Sequence, residues 1–184
     1  MAKLVSKTYG EALYEAAVET GADKAVELME EIRGVIGVLA DNPEFDGLLK
    51  HPGIPKQEKL QVVDDVFRGR VSDELRNFLE IVVSKERYSD LNDIFGYYIA
   101  RVKEEQKIGV AYVETAVELT EGQKNAVETK LLETSGYREM EMNYSVDPAI
   151  IGGMVVRIND RVVDSSIRTK LDGLTKQLLQ IQLG

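Results

Sequence analysis

From Val5 to Gln106 the apolar residues recur every three or four positions, in runs separated by polar, glycine or proline breaks. Val5, Tyr9, Ala12 and Ala16 make one stripe at i, i+4, i+7 and i+11, with Leu13 beside it. Ala25, Leu28, Ile32, Val35 and Leu39 make a second, closed by Asn42-Pro43, because the residue before a proline is pushed out of the helical region. Phe45, Leu48 and Leu49 predict a short third helix before the loop from Pro52 to Pro55. Leu60, Val63 and Phe67 predict a fourth, ending near Gly69. Ser72 suits the cap of a fifth, with Asp73 and Glu74 in the first turn, where the helix dipole favours negative charge. Leu75, Phe78, Leu79, Val82 and Val83 form its apolar face, and Leu91, Ile94, Phe95, Tyr98, Ile99 and Val102 predict a sixth helix. Six amphipathic segments with short connections predict a helical bundle over residues 1–106.

After Gly109, the expected hinge, the period falls to two. Ala111, Val113, Thr115 and Val117 alternate with more polar neighbours and read as a strand. Thr120 to Gln123 has the form of a capping box, so a helix starts there and runs through Val127 and Leu131 to Ser135-Gly136. Met140, Met142, Tyr144 and Val146 alternate with Glu139, Glu141, Asn143 and Ser145, a strand with one dry face. Asp147-Pro148 makes a turn, Met154 to Ile158 a strand, Asn159-Asp160 a reversal, and Val162-Val163 a last strand. Ile167, Leu171, Leu174, Leu178 and Ile181 follow 4-3-4-3 spacing, one face of a closing helix. The expected fold class is α+β: a six-helix bundle followed by a small α/β domain over residues 107–184.

Composition narrows the functions available. The 184 residues are 43% hydrophobic, enough for a packed core. A net charge of −9 argues against nucleic acid or an anionic membrane surface as the main partner. With no cysteine there is no thiolate nucleophile or zinc-thiolate site. The one histidine, His51, sits in a His-Pro-Gly-Ile-Pro loop without a second histidine for a metal or catalytic pair. The stretch from Met1 to Tyr9 has no apolar run of signal-peptide length. Ala149 to Val156, the longest apolar stretch, is broken by two glycines and is far shorter than the ~20 residues that span a bilayer. The expectation is a soluble cytoplasmic protein, reaching any membrane only through partners.

Catalytic motifs do not emerge. Gly152-Gly153 precedes a strand rather than a helix, so it reads as a bulge or close backbone approach and not as a phosphate cradle. Glu30-Glu31, Asp64-Asp65 and Glu104-Glu105 are adjacent on helices and do not face each other. Arg157 and Arg161 stand near Asp160 and Asp164, which favours local ion pairs. The expectation is a protein without an active site, cofactor or metal; an enzyme using surface carboxylates, with or without a divalent metal, is the contrasting reading. Partner surfaces carry more signal. Small residues Ala12, Ala16 and Ala17 beside Tyr9 and Leu13 on the first helix, against the large residues of the fifth, suit a channel for a third helix. Taken alone, the residues favour a plain core at all these positions.

The run Val146 to Leu179, VDPAIIGGMVVRINDRVVDSSIRTKLDGLTKQLL, with its double glycine and the Arg157 that follows, resembles the C-terminal signature of the delta subunits of F-type ATP synthases. That family includes the mitochondrial oligomycin sensitivity-conferring protein. KTYGEALYEAA at Lys7 to Ala17 and KERYSDLNDIFGYYI at Lys85 to Ile99 are similar to its first helix and to the link into its sixth. Many relatives carry glycine where Asn159 and Ser165 stand, and arginine at Thr8. The resemblance implies a six-helix domain followed by a smaller α/β domain, and a non-catalytic stator subunit at the cytoplasmic face of the cell membrane. It implies that a groove between the first and fifth helices takes the N-terminal helix of an alpha subunit. Carried over to this chain, Tyr9, Leu13, Ala16, Phe78, Leu79, Val82 and Val83 line that groove. Leu174, Leu178 and Ile181 meet the b subunits of the peripheral stalk. Neither nucleic acid nor direct membrane insertion is implied. A generic helix-binding adaptor is the alternative.

Overall fold

The computed structural model describes residues 2–182, and the chain divides into two compact units, Met1–Val102 and Lys103–Gly184. The first holds α1 (Ala2–Thr20), α2 (Ala22–Asp41), α3 (Pro43–Lys50), α4 (Lys56–Phe67), α5 (Asp73–Ser84), a 3₁₀ turn (Tyr88–Asp90) and most of α6 (Leu91–Gln106). Helix boundaries follow local chemistry. Pro43 opens α3, where a missing N–H costs nothing and the fixed φ suits the first turn. The Ser72 hydroxyl accepts from Leu75 N at 3.4 Å, capping α5. Glu31 Oε2 on α2 accepts from both Ser72 N (2.9 Å) and Ser72 Oγ (2.7 Å), so the cap also ties α5 to α2.

Leu28, Ile32, Leu75, Leu79, Val82, Leu91, Ile94, Phe95, Tyr98 and Val102 are among the fully buried side chains of one continuous core. Tyr98 donates its hydroxyl to the Ala25 carbonyl at 3.0 Å, and burial pushes its pKa up. α1 and α6 approach closely at Gly10, where a Cβ would lie 2.5 Å from Tyr97 Cδ1 and 3.2 Å from the Ile94 carbonyl oxygen. Next to this contact Glu11 accepts from Tyr97 Oη at 2.6 Å and Arg101 Nε at 3.4 Å. The Tyr97 hydrogen bond, outweighing partial desolvation and helped by Arg101, holds the Glu11 carboxyl below its ordinary pKa.

The second unit holds β1 (Ile108–Thr115), α7 (Glu121–Ser135), β2 (Glu139–Val146), a 3₁₀ turn (Pro148–Ile150), β3 (Met154–Ile158), β4 (Arg161–Asp164) and α8 (Ile167–Gln182). The strands lie in the order β2-β1-β3-β4. β1 and β2 are parallel and joined through α7, as a parallel pair requires; β1–β3 and β3–β4 are antiparallel. Val113 sits opposite Tyr144 on one side and Val156 on the other, and Ala111, Val113, Thr115 and Val156 form the dry face.

The capping box forms: Thr120 Oγ1 accepts from Gln123 N at 3.4 Å and Gln123 Oε1 accepts from Thr120 N at 2.9 Å. Gly152-Gly153 is a close approach, as its position before a strand implied. A Cβ on Gly153 (φ 78°) would fall 2.6 Å from the Ser165 carbonyl oxygen, while Ser165 N donates to the Met154 carbonyl at 3.0 Å.

Two expectations change. Gly109 is not a hinge: it lies buried inside β1, where a Cβ would meet Met140 Sδ at 2.7 Å and Tyr137 at 2.8 Å. β1 also stops at Thr115 and does not run on to Val117. Thr115 Oγ1 donates to the Val117 carbonyl at 2.8 Å, turning the chain and leaving Val117 exposed. Among the described residues no helix is long and apolar enough to cross a membrane.

Candidate partner-binding surfaces

On α1 the buried residues are Ser6, Gly10, Leu13 and Ala17, one position on from the apolar stripe of Val5, Tyr9, Ala12 and Ala16. The close approach at Gly10 explains this rotation. A residue without a side chain must face α6 at that point, so Gly10 turns inward and its neighbour Tyr9 turns partly outward. Tyr9 is half-buried against the core, Ala12 and Ala16 are exposed, and Leu4 at the start of the helix is open to solvent. An apolar stripe outside the core is a candidate partner surface.

α5 behaves in the opposite way. Leu75, Phe78, Leu79, Val82 and Val83 all lie in the core, Val82 with no exposed surface at all. Leu13, Phe78, Leu79, Val82 and Val83, expected along a groove, are therefore core side chains, none more than 8% exposed. The reason is the 12-residue length of α5, whose single apolar arc is fully used by α4 and the rest of the bundle. The large apolar residue of α5 that does face outward is Ile81, 50% exposed. Its one signal in the sequence is an isoleucine out of phase with the stripe on either side of it. The 3₁₀ turn that follows α5 packs against α1.

α8 carries the largest uncovered stripe. Its start is well fixed: Ser166 Oγ accepts from Thr169 N at 3.2 Å, and Asp164 accepts from Thr169 Oγ1 (2.7 Å) and Ser166 N (2.9 Å). Those hydrogen bonds, Thr169's first, hold the Asp164 carboxyl below the usual carboxylate range. Ile167 reaches toward Gly152, where a Cβ would meet its Cδ1 at 2.7 Å, and Ile167 N donates to the Gly152 carbonyl at 2.9 Å. Beyond that turn the described apolar side chains are largely open: Leu171, Leu174 and Leu178 are 49%, 54% and 64% exposed. Leu174 and Leu178 thus do not pack on the sheet, while the Ile181 side chain lies outside the described residues. Val162 and Val163 on β4 are exposed as well. A cleft of about 650 Å³ between α7 and the β3–β4 hairpin is walled by Leu131, Tyr137, Val156, Ile158 and Val163. None of these surfaces converges titratable groups on a common point; what they offer is apolar area.

Comparison with known proteins identifies the family. The sequence pattern of the family described as "ATP synthase delta (OSCP) subunit" matches residues 5–178. The chain is 50% identical over 184 residues, all of both chains, to ATP synthase subunit delta of Lachnoclostridium phytofermentans. It is 36% identical over 181 residues to the subunit of the same name from Alkaliphilus oremlandii, covering 98% of this chain and 99% of that one. In three dimensions it resembles a chain of the mitochondrial ATP synthase hexamer of Toxoplasma gondii, with a TM-score of 0.68 and 20% identity over 95% of this chain and 97% of the other, a likeness of fold. The chain belongs to the ATP synthase delta (OSCP) subunit family.

Proposed function

We propose that this protein is a non-catalytic stator subunit of an F-type ATP synthase, tying the catalytic head to the peripheral stalk at the cytoplasmic face of the membrane. The observation that carries the reading is a pair of apolar helical stripes, one in each unit, that the chain's own packing leaves uncovered. On the first unit, Tyr9, Ala12 and Ala16 of α1 with Ile81 of α5 seat the N-terminal helix of an alpha subunit. The buried Leu13, Phe78, Leu79, Val82 and Val83 hold that seat from beneath. On the second unit, Leu171, Leu174 and Leu178 of α8 meet the b subunits of the stalk. Helix-in-groove contacts suit a stator because a few apolar anchors dominate the affinity and burying them excludes water. With both ends held, torque from the rotor changes the shape of the head instead of spinning it.

Calorimetric titration with the N-terminal segment of the alpha subunit tests the first seat. One-to-one binding, weakened by about tenfold or more in Ile81→Asp, is expected. An unchanged affinity in a folded Ile81→Asp variant would remove α5 from the seat.

A further inference from the structure

α8 carries information about its partner beyond the apolar stripe. Ile167, Leu171, Leu174 and Leu178 are spaced 4-3-4, the two-per-heptad seam of a coiled coil and narrower than the stripe of a helix packed into a globular core. The positions that flank such a seam and set partner choice are Arg168, Lys170, Thr175 and Gln177: two basic, two neutral, none acidic. Asp172 and Lys176 fall on the outer side of the helix.

Lys24, Arg33, Lys50, Arg68, Lys124 and Lys130 each pair with a carboxylate three or four residues away in the sequence. Among the described residues no ion pair engages Arg168 or Lys170, and both side chains are exposed. Residues 155–182 carry five basic and three acidic side chains, in a chain whose net charge is −9. The positive excess therefore gathers where the apolar seam is left open.

We infer that α8 pairs with a helix whose apolar seam is flanked by glutamate or aspartate, and that Arg168 and Lys170 select it. This rests on the stalk reading and gives the chemistry of the stalk helix at the contact. A seam of about two heptads is marginal on its own, so flanking charge contributes visibly to both affinity and choice of partner. A second copy of this chain is a poor occupant, because its α8 brings no acidic flank to meet Arg168 and Lys170.

The full-length protein is titrated by calorimetry with two synthetic helical peptides that share a leucine seam and differ only in Glu or Lys at the flanking positions. A third titration uses the C-terminal segment of a peripheral-stalk b subunit. The wild type should take the Glu peptide about tenfold more tightly than the Lys peptide, with the gap closing as salt is raised. R168E/K170E, altered only at exposed positions and checked by thermal unfolding, should reverse the preference, and Leu174→Asp should abolish it. Equal affinity for the two peptides, or a preference unchanged in R168E/K170E, would overturn the inference. So would concentration-dependent dimerisation lost in Leu174→Asp, which would make a second copy the occupant. Stalk-segment binding indifferent to R168E/K170E would overturn the charge rule while leaving the stalk reading intact. Glu-peptide preference without stalk-segment binding would do the reverse.

Discussion

α5 and α8 look alike in sequence and end up in opposite circumstances. Both are short amphipathic helices with a well-made N-cap, Ser72 on Leu75 N and Ser166 on Thr169 N. α5 buries Leu75, Phe78, Leu79, Val82 and Val83 in the bundle, whereas α8 leaves Leu171, Leu174 and Leu178 about half exposed or more. Periodicity thus tells which face of a helix is apolar and says nothing about whether the same chain covers it. The difference lies in what surrounds each helix. α5 has α4 and α2 against it, but α8 touches its own unit mainly at the 3₁₀ turn before β3. In a family that works inside a larger assembly, the uncovered helix is the one to assign to the assembly.

The sharpest way to break this contrast is to put the same charge on both stripes. Val82→Glu places a carboxylate where no surface is exposed, and should destabilise the first unit by about 4 kcal/mol or more in urea unfolding. Leu174→Glu should leave the unfolding curve in place. Equal losses in the two variants would mean that α8 is covered after all.

Next in size is Gly153→Ala. Its Cβ meets the Ser165 carbonyl at a φ of 78°, so we expect a loss of about 2–3 kcal/mol, read from the second unit's unfolding transition. A smaller effect belongs to Glu11. Its folded pKa is depressed below the ordinary 4.5, so its contribution is fully present above that value and fades as pH falls through the folded pKa. Wild type should therefore exceed Glu11→Gln in stability at neutral pH by under about 1 kcal/mol, with the gap closing below pH 4.5. Smallest of all, Leu178→Ala should shift stability by no more than about 0.5 kcal/mol, while Leu79→Ala should cost about 2–5 kcal/mol.

Much of the architecture could be read in advance because it rests on local chemistry. Ser72, the Thr120–Gln123 box, Pro43 and Gly152-Gly153 each act through a backbone geometry that one or two residues determine. The change of period after Gly109 separated helices from sheet for the same reason. What could not be read depended on neighbours distant in the chain. Gly10 rotates α1 because Tyr97 and Ile94 lie across from it, 84 residues or more along the sequence, so in the stripe of Val5, Tyr9, Ala12 and Ala16 the first two are half-buried and the alanines exposed. Gly109 proved a packing glycine because Tyr137 and Met140 come to it from β2 and the turn before it. The sequence does not single out Ile81, because a lone apolar residue off the stripe looks like an ordinary exposed side chain until the stripe itself is known to be buried.

Hydrogen exchange on the free full-length protein tests the contrast between α5 and α8 most directly. We expect strong protection for the α5 amides and weak protection for α8 beyond its first turn. Adding the peripheral-stalk b segment should raise protection in α8 alone, and adding the alpha-subunit segment should raise it on α1 and α5 alone. α8 amides as protected as those of α5 in the free protein, and unchanged by either segment, would contradict the claim that this chain keeps its second apolar helix for a partner.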